Sequence, residues 1–216
     1  MADPQSFYPA DDHAHTLALA KTALRDQLET ARNRRSLAEV GAAGAALAQH
    51  LLAVPEVRRA ATVSAYVSVG TEPGTGALLE GLRAAGKRVI LPVTLGRFSC
   101  GDLDLDWAAY EGPESLAPAR FGLLEPVGRR LGLDAIGTPD AVLVPGMAVS
   151  WAGIRMGKGG GCYDRALGRV PVGTFTCVLL FDDELGVDVP VEPHDRPVTA
   201  AATPSGVTRL PAPGRG

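Results

Sequence analysis

The stretch Gly153-Ile154-Arg155-Met156-Gly157-Lys158-Gly159-Gly160-Gly161-Cys162-Tyr163-Asp164-Arg165 lies shortly after the apolar run Ala141-Val142-Leu143-Val144-Pro145. The run has the length and composition of a buried strand, and Tyr163-Asp164-Arg165-Ala166-Leu167 can begin a helix. A strand, a glycine loop and a helix in that order form the repeating unit of an open α/β sheet, whose ligands sit beyond the carboxyl ends of the strands. Glycines let successive backbone N–H groups turn toward one anion without Cβ obstruction, and Arg155, Lys158 and Arg165 add positive potential. A mobile glycine turn is the plainer reading of such a stretch. The flanking strand and helix favour a phosphate cradle, with a triphosphate as the expected guest.

Spacing excludes two familiar phosphate motifs. A Walker loop needs G-x-x-x-x-G-K followed by Ser or Thr, whereas Gly153 stands four residues before Gly157 and Gly159 follows Lys158. A dinucleotide fingerprint built on Gly157 and Gly159 would require glycine at 162, which is Cys162.

Working outward, Ala20, Leu24, Leu28 and Ala31 recur at helical intervals, predicting an amphipathic helix over 17–34 with Lys21, Arg25, Arg32 and Arg34 on its surface. Ser36-Leu37-Ala38-Glu39 has capping-box spacing and opens a second helix that Pro55 stops. Two helices are thus expected before any strand. Alternation over 62–69 predicts a strand, Gly70-Thr71-Glu72-Pro73-Gly74 a loop at its end, and Thr75 a cap for a helix ended by Gly86. Arg88 to Pro92 is the next strand, completing a βαβ rhythm. Asp102, Asp104 and Asp106 alternate with Leu103, Leu105 and Trp107. A calcium loop would need Gly and Glu where Trp107 and Pro113 stand, so a solvated strand face is expected. Residues 116–126 read as an apolar loop able to cover a ligand, and 174–181 as a further strand. Residues 189–198, holding Glu192, His194 and Asp195, read as a loop or edge strand. The tail from 205 to 216 is expected to be disordered.

At 216 residues the chain fits one domain, taken as residues 1–204. A net charge of −3 gives no basic field for nucleic acid, so anions must be met by local cations. Cys100, Cys162 and Cys177 form no metal signature, which suits a reducing cytoplasm. Asp11 and Asp12 stand where a secretory segment would be basic and apolar, and no run approaches membrane-spanning length. A cytoplasmic monomer with neither nucleic-acid nor membrane partners is expected.

Lys21 with Arg25, Glu72 with Thr75, Leu91-Pro92, Gly122 with Glu125-Pro126, Pro145-Gly146, the run 155–165, His194-Asp195 and Thr203-Pro204 occur together in this order. As a set they resemble the 5-formyltetrahydrofolate cyclo-ligase family, also called 5,10-methenyltetrahydrofolate synthetases, over nearly the whole chain. The resemblance implies a three-layer αβα fold with a mostly parallel sheet, like that of sugar-phosphate isomerases and CoA transferases. It also implies ATP as co-substrate, Mg²⁺, and 5-formyltetrahydrofolate as the molecule cyclised to 5,10-methenyltetrahydrofolate. Carried over residue by residue, Lys21, Arg25, Arg155, Gly157, Lys158, Gly159, Gly160, Gly161, Cys162 and Tyr163 would bind ATP, with Arg155 and Lys158 catalytic. Val67, Glu72 and Tyr163 would contact the folate, and Asp164 and Asp195 would hold the metal.

The residues alone allow plainer roles. Lys21 and Arg25 could be solvated cations on a helix, Asp164 an acid favoured in a first helical turn, and His194 a turn residue. Cys162 replaces a tyrosine of the family pattern, and no histidine motif makes it a nucleophile. A catalytically silent folate- or RNA-binding protein of the same fold is the alternative class.

Overall fold

The computed structural model describes residues 10–96, 103–192 and 195–211. Good helix formers make α1 (Ala10–Asn33), and the predicted box opens α2 (Leu37–Ala53). There the Glu39 N–H donates to Ser36 Oγ at 3.2 Å and the Ser36 N–H donates to the Glu39 carboxylate at 2.7 Å. Pro55 ends α2 but also starts α3 (Pro55–Arg59), because a first helical turn has no use for the N–H that proline lacks. Three helices, rather than the expected two, precede β1 (Thr62–Ser64).

The strand predicted over 62–69 leaves the ladder early, because its later backbone groups are bonded locally. The Ser68 N–H donates to Thr75 Oγ1 at 2.8 Å, the Thr75 N–H to Ser68 Oγ at 3.1 Å, and the Val69 N–H to Glu72 Oε2 at 2.9 Å. Thr75 therefore ties the 68–75 loop and does not cap α4 (Gly76–Ala84) with its side chain. Past the end of α4, Gly86 takes the left-handed φ of +72° that favours glycine.

β2 (Arg88–Leu95) then pairs with antiparallel β3 (Asp104–Ala109). The acidic face of β3 is less solvated than its alternation suggests. Asp104 accepts from Arg169 at 2.8 and 2.5 Å, and Asp106 accepts from the Gly132 N–H at 2.8 Å. Phe98, Cys100, Asp102 and His194 lie outside the described residues. The segment expected as a loop over 116–126 is a small hairpin of β4 (Leu116–Pro118) and β5 (Leu124–Pro126). After β6 (Ala141–Pro145), a second small hairpin of β7 (Ala148–Val149) and β8 (Arg155–Met156) leads through the glycine loop into α5 (Cys162–Leu167). β9 (Phe175–Leu179), β10 (Ala200–Thr203) and β11 (Gly206–Arg209) complete the chain, while 189–192 and 195–198 are irregular. The last strand corrects the expected disorder for residues 206–209, while 212–216 lie outside the described residues. β11 pairs antiparallel with β10, and Arg209 bonds Glu56 at 2.6 Å and lies over the Phe175 ring.

The sheet order is β11-β10-β9-β6-β1-β2-β3, with five parallel strands between one antiparallel strand at each edge. Both faces are covered. Ala141 and Leu143 of β6 point to a cluster built with Leu47 and Leu51 of α2 and Leu78 and Leu82 of α4. Val142 and Val144 point to the opposite cluster, with Trp107, Ile136 and the Ala166-Leu167 end of α5. This two-sided burial explains why β6 reads as an unbroken apolar run and β9 as one interrupted by Thr176. The predicted three-layer α/β class is the one observed. Among the described residues no helix is long and apolar enough to cross a membrane.

Candidate active site

The carboxyl ends of β1, β2 and β6 open into a cleft of about 380 Å³. Every residue assigned a site role from the sequence lines it, from Lys21 and Arg25 on α1 through Val67, Glu72, Arg155 and the whole run 157–164 to Asp195. Leu103 just before β3, Leu105 within it and Leu123 at the tip of the first small hairpin give one wall an apolar surface.

The polar groups meet in pairs. Lys21 is buried, and its Nζ lies 2.5 Å from Glu192 Oε2 and 2.8 Å from Asp195 Oδ2. One turn along α1, Arg25 Nε donates to the Gly157 carbonyl at 3.0 Å. Arg155, buried on β8, donates through Nη2 to Asp164 Oδ1 at 2.8 Å and through Nη1 to the Pro145 carbonyl at 3.2 Å. Its guanidinium carbon stands 5.9 Å from the centre of the Tyr163 ring. Lys158 reaches across the cleft to Glu72 Oε1 at 2.8 Å. The lining thus carries four cations, Lys21, Arg25, Arg155 and Lys158, against four carboxylates, Glu72, Asp164, Glu192 and Asp195.

Two glycines in the loop are required by their surroundings. A Cβ on Gly157 would come within 2.7 Å of Arg155 Nη1, and Gly159 has a φ of +95° with the Arg25 guanidinium packed against it. Arg25 therefore braces the loop from below while facing the cleft. Arg165 closes the loop from the other side, donating to the Gly160 carbonyl at 2.9 Å and through Nε to the Leu103 carbonyl at 2.7 Å.

Burial, and then the nearby Glu72 charge, push the Tyr163 phenol far above its ordinary range, so it remains a hydrogen-bond donor. Its hydroxyl has no partner among the described residues. The Cys162 thiol is raised chiefly by burial, which keeps it protonated and unsuited to nucleophilic attack. The half-buried Cys162 side chain packs on the apolar cluster beneath α5, where the family pattern has a tyrosine ring.

The sequence reading placed Arg32 on the surface of α1. It is instead 1% exposed, making a two-point pair with the equally buried Glu184 at 2.7 Å on each arm and donating to the Gly146 carbonyl at 2.7 Å. This fixes the backbone at the lip of the cleft. Lys21, Leu24, Leu28 and Arg32 share one helical stripe, so α1 faces the protein with cations as well as leucines, and Ala20, assigned to the apolar face, is exposed. Glu192, the tightest partner of Lys21, was given no site role from the sequence. Neither acid is near α1 in the chain, so only the stripe itself signals buried cations in need of partners.

A three-layer α/β protein with a glycine-loop cleft at the carboxyl edge of its sheet is the class that this fold and cleft define. The family model described as the 5-formyltetrahydrofolate cyclo-ligase family matches residues 18–204. The 5-formyltetrahydrofolate cyclo-ligase of Mycolicibacterium smegmatis is 41% identical over 83% of this chain and 93% of its own. That of Escherichia coli is 35% identical over 76% and 89%. The solved structure of Aquifex aeolicus 5,10-methenyltetrahydrofolate synthetase superposes with a TM-score of 0.73 at 27% identity, covering 91% of this chain and 95% of that one. The chain belongs to the 5-formyltetrahydrofolate cyclo-ligase family and is an enzyme of it.

Proposed function

We propose that the protein uses ATP and Mg²⁺ to convert 5-formyltetrahydrofolate to 5,10-methenyltetrahydrofolate, ADP and phosphate. The observation supporting this reading is the convergence of the α1 cations, the glycine loop, Glu72 and two aspartates on one cleft. Four cations already matched by four carboxylates leave no surplus positive charge for a bare triphosphate, which favours a nucleotide that arrives with a divalent ion.

Among the described residues no group of three or more His, Cys, Asp or Glu is arranged to hold a metal. Mg²⁺ with a nucleotide needs less than that, because it keeps waters, shares phosphate oxygens and takes only one or two carboxylates. Asp164 and Asp195 supply such oxygen donors on the cleft wall, and they are the residues that would hold it. When bound, Mg²⁺ would neutralise charge on the phosphate oxygens during transfer.

Formamide carbonyls are poor electrophiles, because the nitrogen lone pair donates into them. In the proposed reaction the formyl oxygen attacks the γ-phosphorus, an O–P bond forms and ADP leaves. N10 then attacks the formyl carbon and gives up its proton, and the C–O bond breaks to release phosphate with the methenyl bridge in place. Lys21, Arg25, Arg155, Lys158 and the N–H groups of the glycine loop bind and align the phosphates, with Arg155 and Lys158 stabilising the charge that develops. Glu72 accepts hydrogen bonds from the pterin's amino-group donors, and Val67 and the Tyr163 ring support the ring system. The leucine wall excludes water that would hydrolyse the phosphorylated formyl group.

The acidic balance argues against a nucleic-acid partner, and the free thiols of Cys162 and Cys177 suit a reducing cytoplasm. The deciding assay is incubation with 5-formyltetrahydrofolate and MgATP, followed by the near-ultraviolet absorbance of the methenyl product. Absence of that absorbance from folded protein that binds both substrates would overturn the proposal.

A further inference from the structure

Lys158 and Glu72 belong to opposite halves of the cleft, yet they are bonded to each other at 2.8 Å. The two side chains are very unequally placed, Glu72 being 7% exposed and Lys158 52%. Glu72 Oε2 is occupied by the Val69 N–H at 2.9 Å, so the oxygen facing the ligand space is Oε1, the one held by Lys158. The ammonium is carried between Gly157 and Gly159, so its own strand of loop offers little side-chain packing to hold it in place.

A triphosphate that draws Lys158 away leaves a buried carboxylate with a single backbone donor, an unfavourable state that N–H donors of a pterin would relieve. Conversely, a pterin seated on Glu72 displaces the ammonium, which a triphosphate would then receive. Each ligand alone must break the ion pair, whereas two ligands bound together break it once. We propose that the Lys158–Glu72 pair is a shared latch that makes nucleotide and reduced folate bind synergistically. This rests on the proposed assignment of Lys158 to the nucleotide and Glu72 to the folate. By linkage the effect is reciprocal, and a coupling of about 5- to 50-fold in each affinity is the expected size.

The test is calorimetric titration of the full chain with 5-formyltetrahydrofolate, with and without a saturating non-hydrolysable ATP analogue and Mg²⁺. Nucleotide should tighten folate binding by at least about fivefold in the wild type. In Lys158→Met the folate should bind tightly without nucleotide, and the gain from a saturating analogue should fall below about twofold. In Glu72→Gln the analogue alone should bind several-fold more tightly than to the wild type, because Lys158 is released in advance. Independent binding in the wild type, or a gain that persists undiminished in Lys158→Met, overturns the latch even if the enzyme is fully active. Failure of the wild type to bind either ligand overturns instead the functional reading on which it rests.

Discussion

Replacing Glu184 by alanine should be among the most destabilising single changes outside the apolar core. Arg32 and Glu184 are each 1% exposed, and the carboxylate accepts both guanidinium bonds at 2.7 Å as well as the Phe181 N–H at 3.0 Å. Alanine leaves a buried guanidinium with the Gly146 carbonyl as its remaining hydrogen-bond acceptor among the described residues. Removing one partner of such a pair costs about 3–5 kcal/mol, because an uncompensated charge stays buried. For a chain of this size each kcal/mol shifts Tm by about 2–4 °C, so a drop of about 6–20 °C is expected by circular dichroism or scanning calorimetry. The double replacement Arg32→Met with Glu184→Leu removes both charges and should recover most of that loss. A Glu184→Ala protein melting within about 3 °C of the wild type would refute the reasoning, since the pair would then contribute no more than a surface contact.

Lys158→Ala should lower kcat/KM for methenyl formation by at least about tenfold through loss of a phosphate-stabilising donor, and near-normal turnover would remove Lys158 from the transition state. Asp164→Asn is expected to raise the Mg²⁺ concentration needed for half-maximal rate, and an unchanged metal titration would take Asp164 out of the metal site. Arg169 holds the Asp104 carboxyl below its ordinary range mainly through hydrogen bonds. That stabilisation is fully present above the usual carboxylate value of about 3.9 and is lost as pH falls through the lower folded value. Between about pH 5 and pH 2 the Tm of Asp104→Asn should therefore fall less steeply than that of the wild type, and parallel curves would contradict the assignment.

Much of this molecule is legible where sequence acts locally. The Ser36–Glu39 box, the apolar runs at 141–145 and 175–179 and the glycine loop all announce themselves within a few residues, and each is found where its pattern puts it. What the residues hide is decided by distant partners. Arg32 meets Glu184 across 152 positions and Lys21 meets Asp195 across 174, so periodicity alone reads both cations as solvated. The strand over 62–69 stops early because Ser68, Glu72 and Thr75 side chains capture its backbone, a competition that alternation of apolar residues does not register. The Gly and Pro content of the tail reads as disorder, whereas residues 206–209 are ordered by the docking of Arg209 on Glu56 and Phe175, neither visible from the tail itself.

The polar stripe of α1 separates the durability of the catalyst from that of its scaffold. The helix joins the rest through Leu24 and Leu28 in a small satellite cluster with Met147, Ala148, Met156 and Val189, and through the bonds of Lys21, Arg25 and Arg32. The sheet and its two large clusters include none of these α1 residues. With its apolar contacts confined to that small cluster, α1 should have amides that exchange with solvent through openings smaller than global unfolding. On the proposed roles of Lys21 and Arg25, such an opening would remove nucleotide binding while the strands remain paired. On the same proposal, storage life as an enzyme should follow the grip on one helix, and a ligand spanning α1 and the glycine loop should lengthen it more than a stronger core would.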